Sequence, residues 1–147
     1  MAALTAAFVV IAPFITLKKT VYPLAAGAKA FEGGMACYDT AAAGSVKQGA
    51  VSTTLKPLGK FLQTLDNSAG GSAVPVGVEL DKEVECRIWD SVTGGGAITA
   101  ANLFATVYIA SDHELTTVST GASPYGIVMG FSPQGYPNGV VVKPINP

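Results

Sequence analysis

AVPVGVELDKEVECRIWD, residues 73–90, decides the fold. From Val74 the even positions are Val74, Val76, Val78, Leu80, Val84, Cys86 and Ile88, and the odd ones are Pro75, Gly77, Glu79, Asp81, Glu83, Glu85, Arg87 and Trp89. A period of two puts these sets on opposite faces of a strand, whereas a helix would scatter the even set around its circumference. The stretch therefore reads as half-buried β structure, with Lys82 as the single break in the apolar set. At about 3.3 Å per residue, Val74–Asp90 would span roughly 56 Å, too long for one flat strand of a small domain. A bend, bulge or tight turn is expected at Leu80–Glu83.

Working outward, the 147 residues suit one domain, with 49% apolar and only 13% charged side chains against a usual share of about 25%. Such a pale surface is either covered by partners or dressed with Ala, Gly, Ser and Thr. Net charge is −1 with no basic run, which argues against nucleic acid as a partner. Cys37 and Cys86 form no CxxC; Cys86 falls in the apolar set and reads as a small buried hydrophobe, and both are expected to be free thiols.

Residues 1–17 carry no charge and hold Phe8, Val9, Val10, Ile11, Phe14 and Ile15. A secretory signal would place a basic residue ahead of the apolar run, and here Lys18-Lys19 follows it. Pro13 interrupts a run already short for a membrane span. The reading favoured is an extended arm, residues 1–20, ahead of a single β domain, 21–147. Tyr22-Pro23 suggests an extended start to that domain. Strands are expected at Met35–Tyr38, Ser45–Val51, Lys56–Leu65, Phe104–Ala110, Leu115–Val118, Tyr125–Phe131 and Gly139–Ile145. Asp66–Ser72 (DNSAGGS) is a loop, Gly94–Gly96 a flexible hairpin loop, and Thr99 the cap of one helical turn through Asn102. No long helix, linker or internal repeat stands out. Seven or eight short strands with Gly/Pro turns predict an all-β fold, an antiparallel β-sandwich or jelly-roll-like barrel.

Chemistry-bearing patterns are thin. His113, in Ser111-Asp112-His113-Glu114, has no second His or Cys pair to complete a zinc site and reads as a solvated turn. Glu79, Asp81, Glu83 and Glu85 share one strand face, whereas catalytic carboxylates converge from different elements, so the row reads as a wetted face. GxSxG and GxGxxG are absent, and Gly59-Lys60 lacks the upstream glycine of a P-loop. No catalytic, metal or cofactor-binding residue is assigned. Trp89, in the polar set, reads as a partly exposed cross-strand partner or an interface anchor.

The order and spacing of several segments resemble the head decoration, or cement, proteins of tailed bacteriophages. The segments are Tyr22–Ala30 (YPLAAGAKA), Gly33–Ala36, Asp66–Gly70, the alternating Val74–Trp89, Ile98–Leu103, Val107–Ile109 and Gly126–Val128. Ser111-Asp112 stands where such families carry an acidic pair, and the apolar N-terminal stretch is longer. The resemblance implies a mostly β structural virion protein, not an enzyme, made in the host bacterial cytoplasm. It would form small homo-oligomers, homodimers or homotrimers, at symmetry axes on the outer capsid surface and lock major capsid protein subunits together. Candidate partner contacts are Phe8, Val10, Ile11 and Phe14 of the arm, Tyr22, Pro23 and Leu24, and Trp89. The alternative is a secreted or surface carbohydrate-binding β-sandwich module, which would need a cleaved N-terminus and a concave aromatic patch; the aromatics are dispersed.

Overall fold

The computed structural model of the chain describes residues 19–42, 44–131 and 137–145. The expected arm therefore lies, but for its last residues, outside the described residues. The alternating stretch does form a strand, Val74–Leu80, with Val76, Val78 and Leu80 buried. It ends in a 3-10 turn at Asp81–Glu83, where the bend was expected, and a second strand begins at Arg87. Beyond the turn the alternation changes phase: Arg87 and Trp89 point inward, Cys86 and Ile88 outward. Leu80 and Arg87 are seven positions apart, an odd step, so the buried set passes from even to odd numbers. This corrects the sequence reading of Cys86 as buried, of Asp81 as part of a wetted face and of Trp89 as partly exposed.

The strands are β1 (Lys19–Leu24), β2 (Lys29–Ala30), β3 (Met35–Asp39), β4 (Val46–Gln48), β5 (Leu55–Phe61), β6 (Leu65–Asp66), β7 (Val74–Leu80), β8 (Arg87–Ser91), β9 (Thr106–Ile109), β10 (Glu114–Thr116), β11 (Pro124–Phe131) and β12 (Gly139–Pro144). The all-β, barrel-like expectation holds, as two closed barrels in tandem. The first runs β1-β4-β3-β5-β7 and the second β10-β8-β12-β11-β9, with β2 and β6 paired beside the first. Every ladder in the barrels is antiparallel except β1 with β4 and β8 with β10.

The two barrels are topological copies. Each has five strands whose first pairs parallel with its third and antiparallel with its fifth, while the second pairs with the third and fourth and the fourth with the fifth. Strand starts recur 65–71 residues later: Lys19 and Arg87, Met35 and Thr106, Val46 and Glu114, Leu55 and Pro124, Val74 and Gly139. Pro57-Leu58-Gly59 and Pro124-Tyr125-Gly126 form matching β-bulges. Against β3, Gly59 faces Ala36 and Pro57 faces Cys37, and against β9, Gly126 faces Val107 and Pro124 faces Tyr108. A Cβ on Gly59 would run into the Glu79 carbonyl and the Val78 side chain, and one on Gly126 into the Lys143 carbonyl and the Val142 side chain. Both positions therefore exclude a side chain for the same reason, close approach of the neighbouring strand.

Phe61, Val76, Val78 and Leu80 fill the first barrel; Trp89, Val107, Ile109, Tyr125 and Val140 fill the second. Met35, Cys37 and Leu55 of the first barrel join the second cluster, so β3 is buried on both faces and the cores touch across the seam. The seam is also hydrogen-bonded: the Met35 N–H donates to the Asp112 carbonyl at 2.6 Å, and the Ser123 hydroxyl to the Ser52 carbonyl at 2.7 Å. In the DNSAGGS loop, buried Asn67 donates through Nδ2 to the carbonyls of Leu24, Ala25 and Ser72. The turn expected at Thr99 forms as a 3-10 turn over Ala100–Asn102 with Thr99 at its N-cap, and the Thr99 backbone N–H donates to Asn102 Oδ1 at 2.8 Å.

Candidate interaction surface

The carboxylate row breaks up in space. Asp81, only 1% exposed, accepts from Arg87 Nε at 2.8 Å and from the Tyr125 hydroxyl at 3.0 Å. Arg87 also donates through Nη1 to Glu79 Oε1 at 2.5 Å and through Nη2 to the Glu79 carbonyl at 2.9 Å. Burial pushes the Asp81 carboxyl above its ordinary range, and the Arg87 and Tyr125 hydrogen bonds pull it back. Glu79 is held below its ordinary range by the Arg87 hydrogen bond. Burial raises the Tyr125 hydroxyl and pushes the Cys37 thiol up to about 12. Asp81 and Glu79 stand at the end of the first barrel and Arg87 and Tyr125 in the second, so these four hydrogen bonds work as a clasp between the two.

Elsewhere Asp39 is buried against Lys47, with Oδ2 3.0 Å from Nζ. His113 sits on the β9–β10 turn, its Nδ1 2.8 Å from Asp112 Oδ1, and that hydrogen bond raises its pKa. Among the described residues no group of three or more His, Cys, Asp or Glu is arranged to hold a metal ion. Both cysteines are free thiols, Cys37 buried and Cys86 exposed.

The predicted contact residues divide. Phe8, Val10, Ile11 and Phe14 lie outside the described residues. Leu24 is fully buried in the first core, Tyr22 is half-buried beside it, and Pro23 is exposed on β1. Trp89 is 4% exposed, edge-on to Tyr125 with ring centroids 6.0 Å apart, which removes it as an exposed anchor. Its position matches Tyr22 of the first barrel, since Tyr22 faces Val76 and Trp89 faces Val140, and an aromatic plugs each barrel there.

What the sequence reading passed over is a bare region of the second barrel. Between Ser91 and Val142 the only acidic or basic residues are Asp112 and Glu114, with His113 between them. Of the large apolar side chains exposed among the described residues, Ile88, Leu103, Phe104, Val118, Met129 and Ile145 belong to this half and Val21, Phe31 and Val51 to the other. Phe104 was expected inside a buried strand. Instead it precedes β9, is 66% exposed, and is the one non-glycine described residue with a positive φ, +65°. The partition of charge was open in the sequence; the exposure of Phe104 was not, because FATVYIA scans as a continuous buried run. A shallow recess of about 200 Å³ opens at the far end of β9, with no charged side chain in its lining. No protein-family model, curated protein or solved structure matches this chain.

Proposed function

We propose that the chain is a structural virion protein that decorates the outside of a bacteriophage capsid and cements neighbouring major capsid protein subunits by non-covalent contacts. The observation that carries this reading is the uneven coat of the molecule. One barrel bears most of the charge, while the other exposes large apolar side chains on a nearly uncharged surface, the composition of a face that other subunits cover. The interlocked barrels supply a stiff body on which several modest contacts act together, and multivalency turns them into firm retention. The resemblance of Tyr22–Ala30, Asp66–Gly70 and Ile98–Leu103 to phage decoration proteins points the same way.

The test uses shells of the phage that encodes this chain, assembled without it. Purified chain is added back, bound copies are counted on the washed shells, and the shell-opening temperature is read by dye access to the packaged DNA. Saturable retention with a raised opening temperature is expected. Absence of retention at micromolar chain overturns the reading.

A further inference from the structure

We infer that copies of this chain join head to tail, with Phe104 of one copy seated in the uncharged recess beyond β9 of the next. The duplicated barrels provide an internal control. The position matching Phe104 in the first barrel is Gly33, with φ +85°. The match rests on hydrogen bonds: the Gly33 N–H donates to the Phe61 carbonyl and the Phe61 N–H to the Gly34 carbonyl, just as the Phe104 N–H donates to the Val128 carbonyl and the Val128 N–H to the Ala105 carbonyl. The backbone there requires a left-handed residue, which glycine adopts freely and a bulky side chain adopts under strain. The second barrel carries the strained residue, and it spends most of the ring in water rather than in the core. Strain at an exposed aromatic points to a contact made outside the chain.

The recess fits that ring. Val51, Val92, Ala110, Val118 and Ala122 line it beside Thr116 and Thr120, and it offers about 200 Å³ of uncharged space open at the surface. In the first barrel the recess beside β4 is lined by Lys47. Lys47 faces Cys37 as Thr116 faces Tyr108, so Lys47 stands where the uncharged recess has Thr116. The first barrel thus lacks both halves of the device, whereas the second carries the ring and, completed by Val51 of the first, the uncharged recess. Phe104 precedes β9 and Ala110 follows it, about 20 Å apart at strand spacing, so the ring is remote from its own recess. A contact of this kind is heterologous and closes into a ring of subunits when the rotation allows. It forms without a capsid.

The experiment is light scattering with sedimentation on the full chain, without shells, at about 100 μM, well above a micromolar dissociation constant. Wild type is expected at an integer multiple of the chain mass. Phe104→Gly removes the ring at a position its twin fills with glycine, so the thermal midpoint should stay level or rise while self-association weakens about 30-fold or more. Val118→Lys should block the recess with the same loss. A mixture of the two variants retains one intact ring and one intact recess and should run as a heterodimer. A monomeric wild type, a Phe104→Gly chain that keeps the wild-type mass, or a mixture that fails to pair overturns the inference. The capsid reading fails separately: a chain that oligomerises but ignores shells sinks that reading alone, and a monomer that binds shells sinks this one alone.

Discussion

Arg87→Met tests whether the clasp holds the barrels. Arg87 is 8% exposed and makes three hydrogen bonds, to Asp81, to the Glu79 carboxylate and to the Glu79 carbonyl. Methionine fills much of the volume but donates nothing, leaving Asp81 buried with Tyr125 as its remaining side-chain donor. Removing one partner of a buried pair costs about 3–5 kcal/mol, because the other charge stays uncompensated. A chain of this length has a total stability of roughly 7–20 kcal/mol, so the loss is a large fraction of it, and the midpoint should drop by about 6–20 °C. The pH dependence has a definite sign. Without Arg87, the folded-state pKa of Asp81 rises further above its unfolded value near 4, so the ionised form is what the fold disfavours. The variant should therefore be worst at neutral pH and recover part of its deficit as pH falls through the raised pKa towards about 4. Replacing both partners, Arg87→Met with Asp81→Leu, should return much of the loss, since buried ion pairs exchange for apolar ones at little net cost. The assay is calorimetry of the full chain between neutral and mildly acidic pH. A single variant within about 1 kcal/mol of wild type, with no recovery in acid, refutes the claim that Asp81 depends on the guanidinium.

Three further outcomes follow from the fold. Gly59→Ala and Gly126→Ala should each lose about 1–3 kcal/mol in denaturant unfolding, by similar amounts, because each new Cβ meets a neighbouring-strand carbonyl; a neutral result at either breaks the equivalence of the bulges. One thiol per native chain, Cys86, should react with a maleimide, and Cys37 only after unfolding, since it is buried and pushed up to about 12; mass spectrometry of labelled peptides reads this directly. Asp39 is held below its ordinary pKa, first by its hydrogen bond with Lys47. Its stabilising share should be present above about pH 4 and fade as pH falls through the depressed value, and Lys47→Met should flatten that part of an acid-unfolding profile.

The β scaffold was legible in the sequence because period-two burial and Gly/Pro turns are local signals. Val74–Leu80, the turn at Asp81 and the DNSAGGS loop stand where their residues put them. The phase of Arg87–Ser91 was not legible, because a short connector of uncertain path separates it from Leu80 and one extra residue inverts every side chain. Trp89 and Arg87 were misplaced for that reason alone. The duplication was hidden for a different one: two barrels can share every pairing while sharing little more than Pro57-x-Gly59 and Pro124-x-Gly126, since strand partners are set by burial and close approach rather than by identity. Phe104 was hidden because its exposure depends on a backbone angle, and a phenylalanine gives no sign of that angle in sequence.

Closure of both barrels bears on crowding. A sheet with free margins offers unsatisfied amides and carbonyls onto which another polypeptide can graft, and packing many copies at high local density invites such grafting. Here each main strand is flanked on both sides within its own ring. Among the described residues only the two-residue pair β2–β6 keeps free margins, so copies held close together would meet mainly through side chains rather than zipper into fibrils.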